Sequence, residues 1–214
     1  MKKSYLKSIF KNLNKYCPLI CLYILSQIYF FYKSEGWMLD DGMIIATMVR
    51  NFQEHTILTH HLTNNLGTAT SPLFALIAGI ISKTGLTPII SLKLLGASFL
   101  LFIAYYAYNC LKKYSNYPYN LLPSVLILLF PHNIAYSQGG LPTFFYSFLI
   151  FACLFHLFKN EYNLAILYAT LALTARPDGI LLFIIIVYFF YKDKISLKTS
   201  FTYLTFGLIL YCLY

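Results

Sequence analysis

At 214 residues, 59% hydrophobic and only 11% charged, with a mean hydropathy of +0.65, the chain departs far from a soluble domain, where about a quarter of residues carry charge. Its formal net charge of +9 comes without a basic run interleaved with stacking aromatics, which argues against a nucleic-acid partner. The cysteines Cys17, Cys21, Cys110, Cys153 and Cys212 form no CxxC pair and lie in or beside apolar stretches, as small buried hydrophobes do.

The N-terminus, MKKSYLKSIFKNLNKY, places Lys2, Lys3, Lys7, Lys11 and Lys15 ahead of an apolar run over 17–32. Lys33, Ser34 and Glu35 follow with no small-x-small cleavage site, so the run reads as a retained signal anchor. A full span needs about 20 helical residues. Candidate spans cover 17–33, 88–111, 119–136, 141–158, 162–175, 180–191 and 200–214, and the short ones require tilt.

Between the first two spans, "GWMLDDGMIIATMVRNF" (36–52) sets Asp40 and Asp41 at the head of a helix over 41–54. Ile44, Ile45, Met48, Val49 and Phe52 fall on one face of that helix, which is expected to lie along the membrane surface. The stretch 55–72, "HTILTHHLTNNLGTATSP", is the longest polar piece and carries His55, His60 and His61. A second interfacial helix follows over 72–83, with Ser71 as N-cap and Pro72 at the first position.

Lysine distribution sets the threading. With a cytoplasmic N-terminus, the loops 112–118, 159–161 and 192–199 also face inward, and eleven of the sixteen Lys and Arg are inside. The others are Lys33, Arg50, Lys83, Lys93 and Arg176. Glu161 and Asp193 are inside, whereas Glu35, Asp40, Asp41, Glu54 and Asp178 are outside. At "ARPDG", Pro177 disfavours helix before it and Gly179 permits a turn, so 162–175 and 180–191 are separate helices. The expected fold is therefore an all-α polytopic membrane protein, with six to seven transmembrane helices and an external first loop carrying interfacial helices. It forms one domain over 1–214.

This threading gathers Asp40–Asp41, the loop 55–71 and Arg176–Asp178 on the external side, with the last pair expected in a protein-lined cavity. One aspartate is accounted for as a helix cap; two are not. A carboxylate near a bilayer is costly to desolvate and is a functional candidate. Arg176 and Asp178 can satisfy two broken helix ends, or Arg176 can grip a lipid phosphate with its planar fork. His60 and His61 with Asp40 or Asp41 could meet a metal, but zinc-ligand spacing is lacking. His132 and His156 read as ordinary segment residues.

Four motifs then stand in order: "LDDGMIIATMVRNFQEHTIL", "TATSPLFALIAGI", "QGGLPTFFYSF" and "TARPDGILL". Together they resemble the GT-C glycosyltransferases, membrane enzymes that use polyprenyl-phosphate sugars. The nearest resemblance is to the bacterial arabinofuranosyl- and mannosyltransferase branch, over about 37–190. That resemblance implies a multi-pass protein of the bacterial inner membrane, with its active site outside. The donor would be a polyprenyl-phosphate sugar and the acceptor an envelope glycan, lipid or protein. It also implies that Asp40 is the base on the acceptor hydroxyl. Asp41 would be its partner or the ligand of a divalent cation, Mg or Mn, and Arg176 would hold the donor phosphate. Asp178, Arg50, Thr70, Ser71, His60 and His61 would support the site. The chain departs from the family pattern at Pro142, where a glutamate is usual. Members of the family are also longer, so the chain is expected to be the N-terminal part of a longer architecture. A lipid-linked-sugar flippase or an inactive membrane scaffold are the alternatives.

The threading makes one direct prediction. On a cysteine-free background, Asn64→Cys should be labelled by an impermeant thiol reagent from outside, and Lys194→Cys should not. Labelling at position 194 from outside would invert the topology.

Overall fold

The computed structural model describes residues 2–34, 37–60, 71–193 and 205. Among them the chain is all-helical, with no strand. The span expected over 200–214 lies outside the described residues, apart from position 205.

Helix α1 (Lys2–Lys33) carries Pro18 in its interior and joins the basic N-terminal stretch to the apolar run. Helix α2 (Asp40–His55) ends at Thr56, whose left-handed backbone (φ 61°) lets its N–H bond the Phe52 carbonyl at 3.0 Å. Helices α3 (Pro72–Ser82) and α4 (Pro88–Leu111) both start with proline, where a missing N–H costs nothing. Thr87 caps α4 by accepting from the Ile90 N–H at 3.3 Å. Among the described residues α4 is the one helix long and apolar enough to cross a membrane.

The expected span over 119–136 is instead broken. A 3-10 turn (Tyr119–Leu121) leads into α5 (Leu122–Leu129), and α6 (Pro131–Gln138) follows. Phe130 between them is extended (ψ 119°), the conformation that a following proline imposes. Helix α7 (Thr143–Phe158) then leaves α6 at a bend of 113°. Helix α8 (Tyr162–Ala175), a 3-10 turn (Pro177–Gly179) and α9 (Ile180–Asp193) complete the order. Arg176 between α8 and the turn is extended (φ −154°, ψ 140°), so the chain breaks at "ARPDG" as its proline dictates.

Helix α7 packs between α4 and α8, and α3 lies against α2, α4 and α8. Ala165, Ala169 and Ala172 recur along the buried face of α8, which lets neighbouring helices approach closely. Phe74, Phe99 and Phe145 form the aromatic centre of the core, with ring centroids 5.8 Å apart for Phe74–Phe145 and 4.8 Å for Phe99–Phe145. On α2 the core takes Ile45, Met48 and Val49 as the sequence pattern predicts, whereas Ile44 is exposed.

Two glycines bring backbones into direct contact. A Cβ on Gly42 of α2 would stand 2.2 Å from the Gly139 carbonyl oxygen, and one on Gly96 of α4 would stand 2.1 Å from that of Ser137. Gly42→Ala and Gly96→Ala should therefore each destabilise the fold by about 1–3 kcal/mol, the usual scale of overpacking, and lower the melting temperature. Gly79→Ala should cost less, because its Cβ would meet only the ring of Phe52, 2.5 Å away, and a side chain can swing aside.

Candidate functional site

The acid doublet sits in the first turn of α2 and caps nothing. The N-cap position belongs to Leu39, whose extended backbone (φ −74°, ψ 154°) brings no side-chain bond. Asp40 and Asp41 are exposed and have no hydrogen-bond or ion-pair partner among the described residues. The alternative that one aspartate is a cap is thus not met: toward the helix both act as charges at its positive end, worth about 0.3–1 kcal/mol each. Their position is fixed by their neighbours. The Leu39 N–H donates to the Gly139 carbonyl at 3.1 Å, and Gly42 lies against Gly139 and Gly140. The doublet therefore stands beside the turn that leads into α7.

Arg176 reaches the same end of the bundle. Its guanidinium lies 5.3 Å from the centroid of the Tyr146 ring, in the first turn of α7. Its Nε donates to Asp178 Oδ1 at 3.1 Å, a single bond that leaves the two terminal nitrogens of the fork without a hydrogen bond among the described residues. Both side chains are open to the surroundings, 46% and 47% exposed, so the expected enclosure in a protein-lined cavity is not observed. No direct contact links Arg176 to Asp40 or Asp41.

Of the expected supporting residues, Thr70 and His61 lie outside the described residues. Arg50 is exposed. Ser71 stands at the N-cap of α3 but makes no cap bond; its hydroxyl is buried without a hydrogen-bond partner. His60 offers its backbone carbonyl to Asn51 Nδ2 at 3.4 Å, beside the stronger bond from Asn51 Nδ2 to the Thr59 carbonyl at 2.7 Å. Asn51, passed over in the sequence except as part of a motif, pins the segment after α2 back onto that helix. Among the described residues no group of three or more His, Cys, Asp and Glu side chains could hold a metal. Asp40 and Asp41 alone do not make a divalent-cation centre, and no chemistry is assigned to one.

Two constellations went unread in the sequence. In the first, Lys93 of α4 is 2% exposed, and its ammonium lies 5.1 Å from the Phe31 ring with no carboxylate paired to it among the described residues. A desolvated cation–π contact returns about 2 kcal/mol, against several kcal/mol for desolvating an ion. The signal was present: Lys93 is the single charge within the span 88–111. Beside it Gln27 of α1 donates to Ser137 Oγ at 3.1 Å and accepts from the Gln138 amide nitrogen. The second lies at the other end of α7. His156 bonds the Tyr106 hydroxyl through Nε2 at 3.2 Å and Glu161 through Nδ1, and stacks on Tyr168 at 5.4 Å. The reading of His156 as an ordinary segment residue is corrected: it ties α4, α7 and α8 together.

Comparison with protein-family models, with curated proteins and with solved structures finds no match for this chain.

Because Arg176 and Asp178 are both half exposed, their pairing should contribute less than about 1 kcal/mol. Asp178→Asn is expected to leave the melting temperature within a few degrees of the parent. A larger fall would make the pair a structural element and not a ligand-binding one.

Proposed function

We propose that this chain is a membrane glycosyltransferase that moves a sugar from a polyprenyl-phosphate donor to an envelope glycan, lipid or protein acceptor. It works from the extracytoplasmic side of a bacterial inner membrane that it crosses several times. The observation that carries the reading is the convergence of an acid doublet, unpaired among the described residues, and a half-used arginine on the N-terminal end of α7. Two further features support it. The ordered motifs resemble those of the GT-C enzymes. The bundle also exposes large apolar side chains along α1, α4 and α9, including Leu25, Ile28, Phe102, Tyr105, Leu181 and Ile184, as lipid-facing helices do.

In this mechanism Asp40 removes the proton from the acceptor hydroxyl as its oxygen attacks the anomeric carbon. The bond from that carbon to the phosphate oxygen breaks, and the electron pair leaves with the polyprenyl phosphate. Arg176 stabilises the growing negative charge on that phosphate with the terminal nitrogens of its fork. Asp41 keeps a second negative charge close to the oxocarbenium-like centre. The proton ends on Asp40, so atoms and charges balance.

A lipid-linked-sugar flippase is the second reading, favoured by the sharp bend between α6 and α7 and the buried polar residues beside it. Membranes given labelled polyprenyl-phosphate sugar separate the two, since only the enzyme transfers label to an acceptor. Asp40→Asn is nearly isosteric and caps nothing, so insertion should survive while transfer falls by about 100-fold or more. Near-parental transfer in Asp40→Asn would remove Asp40 as the base. Carrier movement without transfer in the parent would remove the enzyme.

A further inference from the structure

We propose that Lys93, Ser34 and Gln138 form a buried binding site for a sugar phosphate ester, with the phosphate on Lys93 and Ser34 and a sugar hydroxyl on Gln138. Three polar groups in this corner lack what their chemistry requires. The Lys93 ammonium has three donors and, among the described residues, meets the Phe31 ring alone. Ser34 Oγ and Gln138 Oε1 are buried and have no hydrogen-bond partner. They belong to one place. Gln27, Phe31 and Ser34 are spaced i, i+4 and i+7, and the Ser34 N–H bonds the Phe30 carbonyl at 2.9 Å, so they lie along one face of α1 and the turn that ends it. Gln27 holds the Gln138 amide nitrogen, and Phe31 underlies Lys93. Gly96, one turn along α4 from Lys93, rests on the backbone of Ser137.

The chemistry follows from the groups left open. A buried ammonium and a hydroxyl call for an anion rich in acceptor oxygens, which a phosphate supplies. The carboxamide oxygen, its nitrogen already engaged, calls for a donor, which a sugar hydroxyl supplies. Gln138 immediately precedes Gly139, whose carbonyl holds Leu39 beside Asp40. The site thus adjoins the acid doublet, and Lys93 supplies the ground-state phosphate contact. The ligand's identity as a glycosyl donor rests on the function proposed above; the binding site itself does not.

The test uses the full chain in phosphatidylcholine nanodiscs and four probes: polyprenyl phosphate, polyprenyl-phosphomannose, mannose 1-phosphate and inorganic phosphate. Affinity is measured for the parent, Lys93→Met and Ser34→Ala, with melting temperature as the control for folding. Lys93→Met removes a buried charge at nearly constant shape, so it should melt no lower than the parent. It should weaken phosphate-ester binding by about 10- to 100-fold, the scale of a lost charge-assisted hydrogen bond, and Ser34→Ala by several-fold. Binding of the polyprenyl probes alone identifies a lipid-borne ester; equal binding of mannose 1-phosphate identifies a water-soluble one. Inorganic phosphate binding as tightly as the esters would overturn the sugar contact at Gln138. Parental affinity in both variants, or no binding of any probe to the parent, would overturn the site. Lys93-dependent binding without sugar transfer keeps the site and removes the transferase. Transfer with an unchanged donor KM in Lys93→Met keeps the transferase and removes the site.

Discussion

The segment Ser137–Gly140, from the last turn of α6 into the bend before α7, is where three other parts of the chain meet, two of them at its backbone. Helix α4 reaches the Ser137 carbonyl through Gly96, and α2 reaches Gly139 through Gly42. Helix α1 binds Ser137 and Gln138 through Gln27. Gly140 takes a positive φ of 75°, and a Cβ there would strike Met38. The sharp bend makes this convergence possible. Where a helix ends, its last carbonyls lose their intrahelical donors and need others. The Leu39 N–H satisfies the Gly139 carbonyl at 3.1 Å, so the break in one helix becomes the anchor of another. The location of the acids, of Lys93 and of the start of α7 all derive from this one contact set.

The two ends of α7 treat polar groups in opposite ways. At the far end His156, Tyr106, Tyr168 and Glu161 satisfy one another, which is what a structural network in an apolar bundle must do. At the near end, among the described residues, Asp40 and Asp41 have no partner, Arg176 uses one nitrogen of its fork, the buried atoms Ser34 Oγ and Gln138 Oε1 lack a hydrogen bond, and buried Lys93 meets an aromatic ring. A fold can keep such groups open only where the surrounding packing over-determines them. The contrast within a single helix is a physical reason to seek a ligand at one end and not at the other.

Local rules made much of this legible in the sequence. Helices over 88–111 and 162–175 match the structure to the residue, because Thr87, Pro88 and the "ARPDG" break act within a few positions. The run 119–136 misled, since its apolar middle, 121–130, hides the break that Pro131 imposes on the backbone of Phe130. What tertiary approach decides stayed hidden. The burial of Lys93 involves Phe31 from α1, which lies far from it in sequence. The hydrogen-bond partners of His156 come from α4 and from the start of α8, neither adjacent to it in sequence.

The doublet itself was legible as an anomaly but not as a geometry. An aspartate that caps a helix spends its carboxylate on backbone N–H groups and is held by that bond. Here Leu39, with no side-chain oxygen, occupies the cap, and its N–H and the close seat of Gly42 fix the first turn of α2 from either side. Asp40 and Asp41 are thereby carried on a backbone held at both flanks while neither carboxylate is bonded among the described residues. A side chain that must accept a proton from a substrate needs that combination, a fixed origin and free lone pairs. Capping would have supplied the first only by consuming the second.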